Sequence, residues 1–392
     1  MPRHPLRGAT AIAGLGITPQ GKVYGSSAIG FAVDAVRLAL DDAGMRREDL
    51  DGLLVNPGLS WGDMGMGSFQ LQQALGLRNL RLTATMNLGG ATAGAMIAHA
   101  AQAIAAGACR AVACVFSDAP LKPPSPKPGA GGGTGAAYRF ARGLDAAYGF
   151  FGVNAMYALV AKRHMHRYGT TQDHLGRIAV AQRRWAHLNP AAQLRDKPLT
   201  LEDYHRSRWI VEPFHLFDCC LVSNGGLAVI VTSAERARGA RKPPVYVWGM
   251  GQGHLGGDPV DTLTSGAVLA KETAFAMAEV APGDFDVVEL YDCYTFTVLV
   301  TLEDYGFCPK GEGGRFVAER IHGPGSGLPV NTGGGQLSSF YMWGMTPVSE
   351  AVIQLRGEGG ARQVPAHDVA LVSGNGGVLS THATLVLSRL PS

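Results

Sequence analysis

The sequence has few charges, no paired cysteine motif and no long apolar run, and each shortage removes a class of protein. Charged residues are 17% of the 392, and Lys+Arg 34 against Asp+Glu 31 leaves a net charge of +3. That balance supplies no basic excess of the kind a nucleic-acid surface uses. The longest low-charge stretch, Gly89 to Ala108, is Ala/Gly-rich and carries His99 and Gln102. A spanning helix needs about 20 predominantly apolar residues, so no membrane partner is expected. The six cysteines form no CxxC pair and no zinc spacing, and residues 1–14 lack the apolar run of a signal peptide. The expectation is a reduced, cytoplasmic protein.

Hydrophobic residues, at 46%, exclude a disordered chain. Glycine is in surplus: 54 residues is about twice the usual share of roughly 7%. No Gly-x-y period accompanies it, so collagen is excluded. The surplus belongs to tight turns and to backbone that approaches something closely.

The chain repeats its own plan. EDLDGLLVNPG (48–58) resembles GDFDVVELYDC (283–293), an acidic turn followed by a buried strand. Amphipathic helices precede both strands, at Ile29–Ala43 and Gly266–Val280, and strands Ala9–Ile17 and Pro244–Met250 precede those helices. Later in each half a Gly-rich helix start leads to another apolar strand: MNLGGATAGAM before CRAVACVFSD, and VNTGGGQLSSFYMWGMTPVSEAV before HDVALVSGNGG. Each half closes on a strand, at 225–234 and 382–390. The order implies two α/β units, 1–240 and 241–392, each with a mostly parallel sheet flanked by helices.

Residues 119–224 interrupt the first unit. Pro and Gly make Ala119–Gly135 a loop, and its GAGGGTG run (129–135) lacks the Lys-Ser/Thr of a P-loop. Ala155–Tyr168 and Gln172–Leu188 read as helices whose Lys162–Arg167 and Arg183–Arg184 cover solvated faces. An insertion this long reads as a lid or substrate-binding subdomain.

A duplicated α/β half with an insertion in the first copy resembles the thiolase fold, an α/β five-layer αβαβα sandwich. Three blocks resemble the sterol-carrier-type thiolases, often called lipid-transfer proteins: ELYDCYTFTVLVTLEDYGFCPKGEGGRF (289–316), NTGGGQLSSFYMWGMTPVSEAVIQLRG (331–357) and VSGNGGVLSTHATLVL (372–387). The catalytic groups of that family are replaced. Its nucleophilic Cys falls on Leu88, its histidine on Tyr341, its second Cys on Gly374, and its Asn or His ahead of the second-half motif on Tyr291. Leu forms no acyl-enzyme, so covalent Claisen chemistry through this position is out.

The resemblance leaves a pocket for an acyl thioester enolate, with the amides of Leu88 and Gly376 as expected oxyanion donors. Tyr291 and Tyr341 are candidate acid and base, since a phenol of pKa about 10 can donate, accept and transfer a proton once tuned. Tyr294 is a further proton-transfer candidate or a packing residue. Asp292 could orient Tyr341 or a water, or cap a turn. Cys293 reads as a small buried residue more than a nucleophile, Cys219 and Cys220 as buried hydrophobes, and His254, His322 and His382 as structural.

This pattern is similar to the thiolase-like aldolases of bacterial steroid and bile-acid side-chain degradation. It implies a lyase that cleaves a bulky 3-hydroxyacyl-CoA by retro-aldol chemistry. It implies no cofactor in this chain beyond the coenzyme A of the substrate, and, since thiolases bind that group with this insertion, it offers contact with coenzyme A phosphates as the alternative for Lys162–Arg167 and Arg183–Arg184. The expected assembly is a homodimer with a small zinc-ribbon/OB-fold partner, a 2:2 heterotetramer whose zinc lies in the partner. The competing readings are a non-catalytic acyl-CoA or lipid carrier, or scaffold, and a partner-assisted acyltransferase.

Overall fold

A computed structural model describes residues 3–124, 152–257 and 263–392. The first half runs β1 (Thr10–Ile17), α1 (Ala28–Ala43), β2 (Gly52–Pro57), α2 (Gly67–Leu75), β3 (Leu82–Thr85), α3 (Thr92–Ala105) and β4 (Ala111–Asp118). The insertion adds α4 (Gly152–Tyr168), α5 (Gln172–His187), α6 (Leu201–Arg206) and the small hairpin β5 (Trp209–Val211) and β6 (Phe214–His215). Strand β7 (Gly225–Ser233) then closes the half. The second half follows as β8 (Val245–His254), α7 (Ala267–Ala278), β9 (Val287–Glu289), α8 (Thr295–Tyr305), α9 (Gly313–Arg320), α10 (Met345–Leu355), β10 (Val369–Gly376) and β11 (Thr381–Ser388). Most of the loop expected over Ala119–Gly135, with its 129–135 run, lies outside the described residues.

The strands join into one nine-stranded sheet in the order β3-β2-β4-β7-β1-β8-β11-β10-β9. The two halves meet where β1 pairs with β8 through Ala11↔Tyr246 and Ile12↔Val245. A mostly parallel sheet was the expectation, and the pairing corrects it. Only β2–β3, β2–β4 and β9–β10 are parallel among the described strands. The remaining ladders are antiparallel: the strand that closes each half runs back beside its neighbour, β7 against β4 after the whole insertion and β11 against β10 directly. Four residues join β10 to β11, far short of the dozen or so that a parallel crossover needs.

Among the described residues, three hydrophobic cores separate the layers. Helices α1 and α2 cover one sheet face, α3 and α10 lie centrally between strands of both halves, and α7, α8 and the insertion cover the third side. Helix α1 starts at Ser27, whose hydroxyl accepts from Gly30 N, and ends at Gly44 with φ 69°. The glycine surplus serves helix–strand contact: a Cβ on Gly14 would lie 2.1 Å from Ala39 O, and one on Gly249 would lie 2.1 Å from Ala274 O. Alanine-rich α1 and α7 can therefore lie directly on β1 and β8.

The repeat is visible in the hydrogen bonds. Asp51 Oδ1 accepts from Arg110 N and Ala111 N at 2.8 and 3.0 Å. Asp286 Oδ2 accepts from Asp368 N and Val369 N at 2.8 and 3.1 Å. Among the described residues no helix is long and apolar enough to cross a membrane.

Candidate active site

The two turns that precede the central helices face each other across the middle layer. In the first, Leu88 N donates to Thr92 Oγ1 at 2.7 Å and Gly89 takes φ 58°. A Cβ on Gly90 would lie 2.1 Å from the Tyr291 ring and 2.5 Å from Asn375 O, so that ring rests directly on the turn. A Cβ on Gly376 would lie 2.0 Å from Leu88 O, which puts the expected oxyanion segments in contact. One of those donors is not open, however. The Leu88 amide is engaged by the Thr92 hydroxyl, which itself donates to Gly89 O at 2.6 Å.

Tyr291 follows β9, and Tyr341 follows a single π-helical turn, Gly335–Ser339, just ahead of α10. The fold brings their phenols together with Oη atoms 3.0 Å apart, in hydrogen-bond contact. Tyr291 is buried and Tyr341 half-buried. Burial first, and then the neighbouring Tyr341 phenol, hold the Tyr291 hydroxyl well above its ordinary value near 10. Tyr291 is therefore held in its neutral form and not as a standing phenolate.

Asp292 holds the turn. Its carboxylate accepts from Gln336 N at 2.8 Å and Leu337 N at 3.1 Å, and a Cβ on Gly335 would lie 2.2 Å from its Oδ2. Burial pushes its pKa up to about 7, against the pull of the Gln336 and Leu337 amides. It thus anchors the segment that carries Tyr341. The Tyr341 amide in turn donates to Ser223 Oγ at 3.0 Å.

Tyr294 is held by the insertion. Its phenol donates to Asn154 Oδ1 of α4, and its ring lies 4.7 Å from Tyr157 and 4.9 Å from Phe214. It packs the insertion against the second half. Cys293 is buried, and burial pushes its thiol up to about 12, so it stays protonated. Cys219 is pushed up to about 12 by burial as well.

Arg183 contradicts the solvated-face reading of α5: it is 3% exposed, because α5 packs against α8, α9 and the π turn. Lys162 pairs with Glu212, and Arg184 donates to His322 O at 3.0 Å. His382 lies in a buried polar cluster with Tyr305 and Ser373, 3.0 Å from each. Among the described residues no group of three or more His, Cys, Asp or Glu could hold a metal ion.

Sequence reasoning did not find Thr92, Tyr157, Ser223 or Asn375. Asn375 Nδ2 donates to Tyr157 Oη at 3.2 Å, tying β10 to α4 beside Cys293. A signal existed for Thr92, because NLGGAT and YMWGMT carry Thr at the same place in the repeat.

The chain as a whole is similar to known proteins. Residues 257–389 match the thiolase C-terminal domain-like family. A steroid side-chain-cleaving aldolase of Thermomonospora curvata is 36% identical over 389 residues, covering 95% of this chain and 96% of that protein. The 17-hydroxy-3-oxo-4-pregnene-20-carboxyl-CoA lyase of Mycobacterium tuberculosis is 33% identical over 90% of this chain and 92% of its own length. A solved structure, the Ltp2-ChsH2(DUF35) aldolase, superposes with TM-score 0.87 at 34% identity over 98% of this chain and 99% of that one. The chain belongs to the thiolase superfamily, in the sterol-carrier-type branch that holds the steroid side-chain-cleaving aldolases.

Proposed function

We propose that this chain is a carbon–carbon lyase that splits a bulky 3-hydroxyacyl-CoA of steroid or bile-acid type into a ketone or aldehyde and a shorter acyl-CoA. The observation that carries the reading is the Tyr291–Tyr341 phenol contact at 3.0 Å, beside the turn whose thiolase nucleophile position is Leu88. One phenol accepts the substrate hydroxyl proton as the Cα–Cβ bond breaks and the carbonyl forms. That phenol passes its own proton to the other, which protonates the α-carbon of the thioester enolate. One proton moves from oxygen to carbon, no covalent intermediate forms, and neither tyrosine has to stand as a phenolate. Such a relay suits a pair in which burial keeps Tyr291 protonated.

Enolate charge needs a donor aimed at the thioester oxygen. Gly376 is the proposed backbone donor, and Leu88 N joins it only if the Thr92 hydroxyl yields. Asp292 acts behind the pair by fixing the turn, and Tyr294 shapes the pocket wall. The chain itself needs no cofactor, since coenzyme A arrives with the substrate. The Ltp2-ChsH2(DUF35) neighbour motivates an assembly of two copies of this chain with two DUF35-type partners in the cytoplasm, any zinc lying in the partner.

The test is to purify the chain with its partner, add a steroid 3-hydroxyacyl-CoA and follow the mixture by mass spectrometry. A ketone plus a shorter acyl-CoA is expected. Intact substrate over a panel of 3-hydroxyacyl-CoAs, with ligand bound, would instead make the chain a carrier.

A further inference from the structure

The π turn that delivers Tyr341 is held mainly by the insertion. Leu221 N donates to Gln336 O at 2.9 Å, Leu194 N to Ser338 O at 3.1 Å and Gln193 N to Ser339 O at 3.0 Å. Asn189 Nδ2 reaches Gly333 O at 2.8 Å, and Ser223 receives both the Tyr341 amide and Gln193 Nε2. A π turn closes with wider hydrogen bonds than an α turn and is uncommon outside functional sites. Its shape here depends on outside partners, since Gly334 and Gly335 take φ 94° and 60°.

Asp292 holds the turn from the second half, and Arg183 of α5 adds a charged side chain from the insertion. Its Nε donates to Ser338 Oγ at 2.9 Å and its Nη1 to Lys197 O at 2.7 Å. Lys197 N donates in turn to Leu194 O at 3.1 Å, and Leu194 N reaches Ser338 O. The guanidinium therefore closes a ring of contacts around the turn. It lies 5.6 Å from the Phe217 ring, and no carboxylate pairs with it among the described residues. Burying a cation without a counter-charge is costly, more so than packing an insertion requires.

We propose that Arg183 is a positioning residue for the cleavage reaction: it locks the Ser338 hydroxyl to the Lys197 carbonyl and so fixes where the turn places the Tyr341 phenol. Only the kinetic part of this inference rests on the lyase reading. Misplacing a reacting group by about 1 Å can cost about 10²-fold in rate. Arg183→Met should therefore lower kcat by about 10²-fold while KM for the hydroxyacyl-CoA stays unchanged. Arg183→Lys should recover part of that loss.

Ser338→Ala keeps the cation and should reproduce the loss, and the double variant should lose nothing more. Hydrogen exchange should quicken at amides 335–341 and stay unchanged in β10–β11. If Arg183→Met does not fold, Ser338→Ala carries the test. Unchanged kcat, or losses that add in the double variant, would overturn the proposal. A wild-type complex that cleaves no hydroxyacyl-CoA would overturn the lyase reading instead. The exchange data then decide the clamp by themselves, and unaltered exchange at 335–341 in both variants rejects it.

Discussion

The starts of the two central helices are built alike and filled differently. In the first half Leu88 N donates to Thr92 Oγ1 at 2.7 Å with φ 58° at Gly89; in the second, Met342 N donates to Thr346 Oγ1 at 2.9 Å with φ 48° at Trp343. The equivalent position near the end of the neighbouring strand differs most. It is Asn56 in the first half, spent on Met86 O at 3.1 Å, and Tyr291 in the second, hydrogen-bonded to Tyr341. Asn87 stands in the repeat where Tyr341 does, and its side chain accepts from Gly89 N. The duplicated frame thus fixes two equivalent turns, and only one carries side chains able to move a proton. The first half contributes a glycine floor at Gly90, on which the Tyr291 ring rests, and the insertion that grips the other tyrosine's turn.

The comparison can be broken most forcefully at the phenols. Tyr291→Phe and Tyr341→Phe should each lower kcat by about 10²–10⁴-fold with the fold intact. Asn56→Ala, in the equivalent place, should cost about 1 kcal/mol of stability from the lost bond and leave the cleavage step alone. Measured kcat and urea midpoints for the three variants decide this. Equal kinetic losses on both sides would refute the division of labour.

A smaller effect sharpens the shared frame. Thr92→Val and Thr346→Val each leave a helix-start amide without its acceptor, so each should destabilise by about 1–3 kcal/mol, and by similar amounts. Urea denaturation reads both. A large inequality would mean that the turns are alike in shape only.

A further effect, on pH dependence, is confined to the second half. Burial holds the His382 imidazole down at about 3, from an ordinary value near 6.5. The folded chain therefore refuses a proton that the unfolded chain takes up between those values. Stability from this source is present above pH 6.5 and drains away as the pH falls toward 3. His382→Gln should flatten the decline of the urea midpoint across that window, and an unchanged slope would remove His382 from the account.

Much of this frame was legible in the sequence. The apolar runs at 52–57 and 369–376 became strands, and the Ala-rich periodicity over 28–43 became a helix, because burial on one face dictates both patterns. Strand direction was not legible, since an apolar run does not record its partner's orientation. Strand β3 escaped because LTAT is short and half-exposed. The tyrosine pair emerged only by placing this chain beside thiolases, for nothing local to Tyr291 or Tyr341 announces a contact across 50 residues. Arg183 misled for a related reason: a cation on an amphipathic helix looks solvated until another segment covers it. Thr92 was hidden because a hydroxyl four residues along can close an amide that the resemblance left open.

The central claim is that Tyr291 and Tyr341 act as one relay, and a double-mutant cycle tests it most directly. Single-turnover cleavage should be measured for Tyr291→Phe, Tyr341→Phe and the double variant in the assembled complex. Groups that work as a unit are lost together, so each single change should cost about as much as both. Losses that multiply in the double variant would show two independent tyrosines and contradict the relay.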